Sequence, residues 1–534
     1  MEDFDYIIVG SGSSGSVIAN RLSEINNINI CVLEAGGTNQ HPYIKMPAGF
    51  IKTINDKRFN WCFKTEASEN VNNREILFPR GKGLGGSSSI NGHLYVRGQQ
   101  DDYNQWAQLG NVGWGYDDIL PYFKKSECKE NGDEKYRGKS GPLFVSDIVE
   151  KHPLCEEFIE SSKEIGVSIQ EDYNAGNQEG IFYYQRTIKN GARFSAYDAF
   201  LKPAMKRKNV EVKTNTTVLK IIFKNKKAIG LLCEKNKKQF KIFANKEIIL
   251  CAGAIGTPHL LQISGVGNSN YLKKIGVPLI HENKSIGEGL QDHYAVRVSN
   301  SIKFPITLNE KAHGYKLFFE IMKWFVFKKG LISYSPAHVG AFLRSSSEID
   351  LPDLQFVFTP ASYTEGMIGK LQNIPGITCG VWQSRPQSRG YIRALTNNIK
   401  DDPLIQPNYL KETIDQDILI KGVRMCRDLL KTSNMKKISI SETLPGDNIN
   451  TDNEILNFVK NNGATVYHAI GSCRMGVDKD SVVGPNLKLN GIIGLRIADA
   501  SIMPTMPSGN TNAATIMVAE KASDLIKKDL KGFI

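Results

Sequence analysis

Phe4-Asp-Tyr-Ile-Ile-Val-Gly10-Ser-Gly12-Ser-Ser-Gly15 is the stretch whose reading decides the fold. Residues 4–9 read as a short buried strand, and a G-x-G-x-x-G turn follows at once. Ser16-Val-Ile-Ala-Asn-Arg-Leu22 then has helical spacing, and the apolar run from Ile28 to Leu33 is a second strand ending in Glu34. Strand, glycine turn, helix, strand and acid in this order make a dinucleotide-binding unit. Gly10 permits the tight turn, Gly12 lets backbone approach a pyrophosphate, and Gly15 lets the helix pack on the strand. The start of the helix, at Ser13 and Ser14, offers free N–H groups to the phosphates. Glu34 stands 19 residues after Gly15 and can hold a ribose hydroxyl. An acid there argues against a 2′-phosphate, hence against NADP, and leaves NAD and FAD open. The bland alternative is a glycine turn with no ligand, which the flanking strands and the placed acid disfavour.

A second glycine-rich stretch is Arg80-Gly-Lys-Gly-Leu-Gly-Gly-Ser-Ser-Ser-Ile-Asn91. Its five consecutive small residues, from Gly85 through Gly86 and Ser87 to Ser89, cannot fill a core. They let backbone lie against something flat or charged; a flexible loop is the alternative. A third element, Glu247-Ile-Ile-Leu-Cys-Ala252-Gly-Ala-Ile-Gly-Thr-Pro-His-Leu-Leu261, reads as strand, glycine turn and helix, with Pro258 inside the first turn.

Near the C-terminus, His468 follows Ala464-Thr-Val-Tyr467 and precedes Gly471, which places it on a turn. A lone histidine is more often structural than catalytic. Gly494-Leu-Arg-Ile-Ala-Asp499 reads as a strand ending in an acid, followed by Ala500 and a loop rich in proline. Asn510 and Asn512 are both suited to cap the helix that comes next, whose apolar positions include Ile516, Val518, Ala519, Ala522 and Ile526. A helix start carries partial positive charge and suits an anionic group. Capping alone is the competing reading.

In these motifs the chain resembles the glucose–methanol–choline oxidoreductases. The resemblance rests on the loop at 80–91, on Gly253-Ala-Ile-Gly-Thr-Pro-His-Leu-Leu-Gln-Ile-Ser-Gly-Val-Gly267, on His468-Ala-Ile-Gly-Ser-Cys-Arg-Met-Gly476 and on Leu495-Arg-Ile-Ala-Asp-Ala-Ser-Ile-Met-Pro504. It runs from about residue 4 to residue 530 in the family's order. It implies an α/β fold in two parts. A Rossmann-like FAD-binding domain would be assembled from residues 1–155, 192–298 and 464–534. An α+β substrate domain on an antiparallel sheet would come from residues 156–191 and 299–463. The resemblance also implies FAD contacts from Gly10 to Gly15, from Glu34 and Ala35, and from Arg80, Gly85, Gly86, Ser87 and Asn91. Further contacts are implied for Val218 beside the adenine and for Ala252, Asp499, Ala500 and Asn510. Some relatives tether the flavin through a histidine just before the asparagine of the second loop. Ile90 stands there, so the FAD is expected to be non-covalent, with His93 a nearby loop histidine.

The family's catalytic histidine corresponds to His468. Its partner stands three residues before a threonine of the last helix, and counting back from Thr515 gives Asn512, leaving Asn510 nearer the flavin. The implied reaction oxidises a primary alcohol, choline-like or other. An imidazole with a reference pKa of about 6.5 suits the hydroxyl proton, an asparagine suits the alkoxide, and the α-hydride goes to flavin N5. Ser333-Tyr-Ser-Pro-Ala-His-Val-Gly-Ala-Phe342 matches a stretch that carries a glutamate in choline dehydrogenases; His338 replaces it, which weakens choline as the substrate. Without a second complete dinucleotide fingerprint, NAD is not expected as the electron acceptor. A quinone, an electron carrier or O₂ would serve. An oxidase, a flavin-containing lyase and a light-driven decarboxylase are the rivals on the same fold.

The totals narrow the remaining classes. The 534 residues carry a net charge of +12, but the basic residues are dispersed and short clusters such as Lys206-Arg-Lys208 lack interleaved aromatics. A generally basic surface fits better than a nucleic-acid site. The nine cysteines form no C-x-x-C pair, so neither a disulfide framework nor a metal site is indicated and a cytoplasmic location fits. The apolar run after the acidic N-terminus is too short for a signal peptide, and no run is long enough for a transmembrane helix. Residues 124–140 are polar and read as a surface loop. Residues 315–329 are aromatic and basic with helical spacing. They read as a substrate-domain helix with a core-facing side, the alternative being a peripheral contact with the inner face of a membrane.

Overall fold

The structure, a computed structural model, describes residues 2–364 and 370–531. Two sheets organise them. In the first, strands Val210–Lys213, Ile30–Leu33, Glu2–Val9 and Lys238–Leu250 lie side by side in parallel, and Leu495–Ile497 joins the far end of Lys238–Leu250. An antiparallel hairpin, Thr216–Lys224 with Lys227–Lys235, extends the near end of that long strand. Its terminal Ile248 and Ile249 sit between Ile7 and Ile8 on one side and Leu495 and Arg496 on the other. Covered on both faces, such strands read as continuous apolar runs, which is why residues 4–9 and 28–33 were recognisable.

The second sheet is antiparallel, ordered Ser439–Leu444, Tyr294–Ile302, Gly376–Gln383, Leu354–Thr359, Val339–Leu343 and Gly180–Tyr183, with Ala464–Thr465 also paired to Tyr294–Ile302. Helix Thr413–Leu430 packs on one face of it. Period-two alternation along Gly376–Gln383 sends Val381 toward Gly422 of that helix and Thr378, Gly380 and Trp382 toward a cavity on the opposite face. The strand Tyr294–Ile302 crosses the expected division at residue 298.

Three expectations are corrected. Pro258 lies well inside helix Gly253–Ile263, not in its first turn. The carbonyl of Ala254, which a proline four residues on leaves without a helical donor, accepts the Ser472 hydroxyl at 2.6 Å. Residues 124–140 are not simply a surface loop, because Glu127 and Arg137 are buried. The Glu127 carboxylate accepts from Arg137 Nε at 2.9 Å, pairs with Arg97 at 2.6 Å, and accepts the Gly138 N–H at 2.9 Å, while Arg137 reaches Asp172 at 2.7 Å. Pairing of opposite charges, with hydrogen bonds to most of the polar atoms, is what lets these groups leave water. Finally, helix Gly314–Phe327 is not a core helix: of its side chains only Trp324 is buried. Among the described residues no helix is long and apolar enough to cross a membrane.

Candidate active site

A cavity of about 470 Å³ runs between the sheets, from Glu34 and Val218 at the first to Arg297 and Trp382 at the second. Every residue expected to contact cofactor or substrate lines it except Ser11, Gly15 and Gly85. Gly15 has the packing role instead, since a Cβ there would lie 1.9 Å from the Gly10 carbonyl oxygen. Gly85 donates its N–H to Ser11 O at 2.9 Å and so seats the second glycine loop on the first. Gly86, at φ +51°, brings that loop so close that a Cβ would lie 2.8 Å from Gly12 Cα. Glu34 holds both loops: Oε2 accepts from the Ser11 N–H at 3.1 Å and hydroxyl at 2.7 Å, and Oε1 from the N–H groups of Gly36 at 2.8 Å and Gly83 at 2.9 Å. Asp499 is similarly occupied, accepting from Gly253 N–H, Thr257, and both the N–H and hydroxyl of Ser501.

Two helix starts open into this cavity. Helix Ser13–Leu22 has no side-chain cap and no acid in its first turn, so its leading N–H groups are left for a ligand. Helix Thr511–Lys531 begins alongside, tied to it by the Ser13 hydroxyl donating to Asn512 Oδ1 at 2.7 Å. Arg80 adds a buried cation: Nη1 donates to Tyr467 O at 2.7 Å, while Nε and Nη2 have no partner among the described residues. Burial, only partly offset by the charge of Asp292, holds its pKa below the usual guanidinium value. Glycine backbone, two helix starts without an acid in the first turn and a cation with spare donors fit the FAD that the motifs imply.

The asparagine register needs correcting. It is Asn510 that stands beside His468, its Nδ2 at 3.0 Å from Nε2, whereas Asn512 faces Ser13. The loop before the last helix sets this. Ser508 donates its N–H and hydroxyl to Asp102 at 2.7 and 2.8 Å, and Gln178 donates to Ser508 O at 2.9 Å. Gly509 then runs so close to Val96 that a Cβ would lie 2.3 Å from it. Asn510 Oδ1 accepts from Gln355 Nε2 at 3.3 Å, which turns the amide N–H toward the histidine.

His468 sits on an irregular turn, as expected. Its backbone N–H donates to Asp292 at 2.6 Å, and Tyr409 and Thr465 donate to the same carboxylate. A second imidazole, unrecognised in the sequence, faces it: His293 Nδ1 lies 2.8 Å from His468 Nδ1. The other nitrogen of His293 is 2.8 Å from Ser384 O. A carbonyl only accepts, so Nε2 of His293 carries a hydrogen. Burial lowers the His293 pKa to about 4, so the ring is neutral and its Nδ1 accepts. His468 Nδ1 therefore donates, which leaves Nε2 of His468 as a lone pair facing Asn510 and the cavity. Burial first, then the nearby His293 and Arg80, hold His468 well below the ordinary imidazole range. At neutral pH it is an uncharged ring whose basic Nε2 accepts from the Asn510 amide. The Asp-His pair at 292–293 heads a strand, but no local pattern in the sequence announces the contact with a residue 175 positions away.

The Trp382 ring lies 6.3 Å from the His468 ring, and Phe50, Trp61 and Tyr363 also line the cavity. Arg297 joins them, its guanidinium 5.4 Å from the centre of the Tyr363 ring. His338 does not line the cavity; it is buried edge-on to Tyr334, with burial lowering its pKa to about 3. Ile90 and His93 both line the cavity, and burial also keeps the His93 ring neutral.

Known proteins resemble this chain along nearly its whole length. Two family models, both described as GMC oxidoreductase, match residues 4–295 and 386–519. An alcohol dehydrogenase (acceptor) of Pseudomonas putida is 39% identical over 98% of this chain and 95% of its own. Human mitochondrial choline dehydrogenase is 37% identical over 98% of this chain and 90% of its own. Among solved structures, pyridoxine 4-oxidase from Mesorbium loti superposes with a TM-score of 0.90 at 28% identity, covering 98% of this chain and 99% of that one.

Proposed function

The chain belongs to the GMC oxidoreductase family, and from that membership we propose how this FAD-dependent oxidoreductase of CH–OH donors works: His468 takes the hydroxyl proton of a primary alcohol. The observation that carries this reading is the hydrogen-bond chain from Ser384 through His293 to His468, which leaves Nε2 basic at the cavity wall. A substrate hydroxyl between Asn510 and His468 would donate to Nε2 and accept from Asn510 Nδ2. As the proton moves to Nε2, the Asn510 N–H stabilises the developing alkoxide. The chemistry that bound FAD supplies is acceptance of the α-hydride at N5, so that alcohol leaves as aldehyde. Gly10, Gly12, Ser13 and Ser14 would hold the pyrophosphate, Glu34, Ala35 and Val218 the adenosine end, and Arg80, Gly86, Ser87, Asn91, Ala252, Asp499, Ala500 and Asn512 the rest. Ile90 at the tether position supports a non-covalent flavin.

The aromatic wall favours an alcohol with an apolar body. Arg297 on that wall, together with a neutral, buried His338, disfavours the quaternary ammonium of choline. The acceptor in this reading is a quinone or an electron carrier, and the nine free thiols suit a cytoplasmic location. Anaerobic titration of the holoenzyme at about 450 nm, the oxidised flavin band, with a panel of primary alcohols including choline tests it. Bleaching by an apolar primary alcohol and not by choline is expected. A flavin that stays oxidised with every alcohol overturns the reading, and stoichiometric peroxide in air would mark O₂ as the acceptor.

A further inference from the structure

Helix Gly314–Phe327 presents an apolar face to solvent. Tyr315 is 72% exposed, Phe318 60%, Phe319 65%, Met322 45%, Phe325 48% and Val326 65%. At 3.6 residues per turn these six positions fall on one stripe about 120° wide. Leu317, Ile321 and Trp324 occupy the opposite side and seat the helix on Met46 and Ile332. The helix is therefore apolar on two sides, and only one is used by the fold. A contiguous patch of this kind on a soluble surface marks an interaction site.

Charge identifies the occupant. Lys316 and Lys323 border the outward stripe on the same flank and are exposed, and exposed Lys329 follows the helix end. A second copy of the chain would bring the same lysines against these. An anionic lipid surface complements them: apolar side chains enter the acyl boundary while lysines remain among the headgroups. Fourteen residues span only about 21 Å, less than the hydrocarbon core, so such a helix lies on a bilayer and does not cross it.

We propose that helix Gly314–Phe327 docks the protein peripherally on an anionic lipid bilayer. Its position gives that docking a consequence. The seat residue Met46 lies just before Phe50 and Ile54, and Ile332 just before Pro336 and Ala337, and all four of those residues line the active-site cavity. The docked face and the cavity wall thus share two short segments.

Flotation of the FAD-loaded full chain with vesicles of phosphatidylcholine alone, or of phosphatidylcholine with phosphatidylglycerol, tests the proposal. Binding to the anionic vesicles is expected. The triple change Phe318→Ser, Phe319→Ser and Phe325→Ser should weaken it by at least about tenfold. Lys316→Glu with Lys323→Glu should abolish the preference for phosphatidylglycerol. Flavin content, and flavin reduction by a water-soluble alcohol where the wild type shows it, should be unchanged in both variants, because none of these side chains reaches the cavity. A wild-type protein that floats with neither vesicle overturns the proposal. So does a serine variant that floats as well as the wild type, or a wild-type dimer that the serine changes dissociate without altering flotation.

Discussion

Replacing His293 separates positioning from chemistry. In His293→Leu the Nδ1–H of His468 loses its acceptor and Ser384 O loses its donor, both in a buried site. The preference of His468 for the tautomer with a bare Nε2 then falls by the value of one buried hydrogen bond, about 1–3 kcal/mol. At 1.4 kcal/mol per decade the ratio of competent to idle tautomer drops roughly 5- to 150-fold, which sets the largest loss expected in the rate of flavin reduction. His293→Gln provides the contrast. Its side-chain oxygen can accept from His468 Nδ1 while its N–H₂ donates to Ser384 O, so the rate should return to within a few-fold of wild type. The assay is anaerobic single-turnover reduction of the flavin, read with the flavin content and melting temperature of each variant. Substrate affinity should change little, because His293 is behind His468. Equal rates for the Leu variant and the wild type, at equal flavin content, would refute the tautomer argument.

Three further outcomes follow from the same geometry. The base must be unprotonated to act, and burial places the His468 pKa well below the ordinary imidazole range. Flavin-reduction efficiency should therefore be flat through neutrality and decline only on the acid side of that range; a decline already centred near pH 7 would contradict it. Gly86→Ala forces a Cβ to 2.8 Å from Gly12 Cα at a positive φ. The expected cost is about 1–3 kcal/mol, read as a lower melting temperature and weaker FAD retention, and an unchanged protein would show that the two loops are not interlocked. Acid precipitation should release all the yellow colour into the supernatant; flavin fluorescence remaining on the denatured polypeptide would reveal a covalent bond that Ile90 argues against.

How much of this the sequence revealed depended on whether the determinant was local. The strand, glycine turn, helix and acid at 4–34 are set by short-range sterics and hydrophobic runs, and they were readable. Asn510 and Asn512 were not separable, because the choice between them is made by Asp102 and Gln178, which anchor Ser508 from more than 300 positions away. His293 escaped notice for the same reason. The helix at Gly314–Phe327 was recognised as a helix, but its aromatic composition does not tell a buried stripe from one left in water. At residues 124–140 composition points the opposite way: polar residues suggest solvent, while Glu127 pairs inside the protein with Arg97 and Arg137, and Asp172 balances the second cation. Pro258 stands a turn deeper than local rules for proline allow, because the compensating hydroxyl comes from distant Ser472.

The most direct measurement is the anaerobic rate of flavin reduction in His468→Ala by an alcohol that reduces the wild type. His468 makes none of the contacts expected to hold FAD, so the variant should purify yellow with full flavin content. Loss of the base should slow reduction by about 10²- to 10⁴-fold. A His468→Ala enzyme that bleaches at the wild-type rate would show that the proton goes elsewhere and that His468 is not the base.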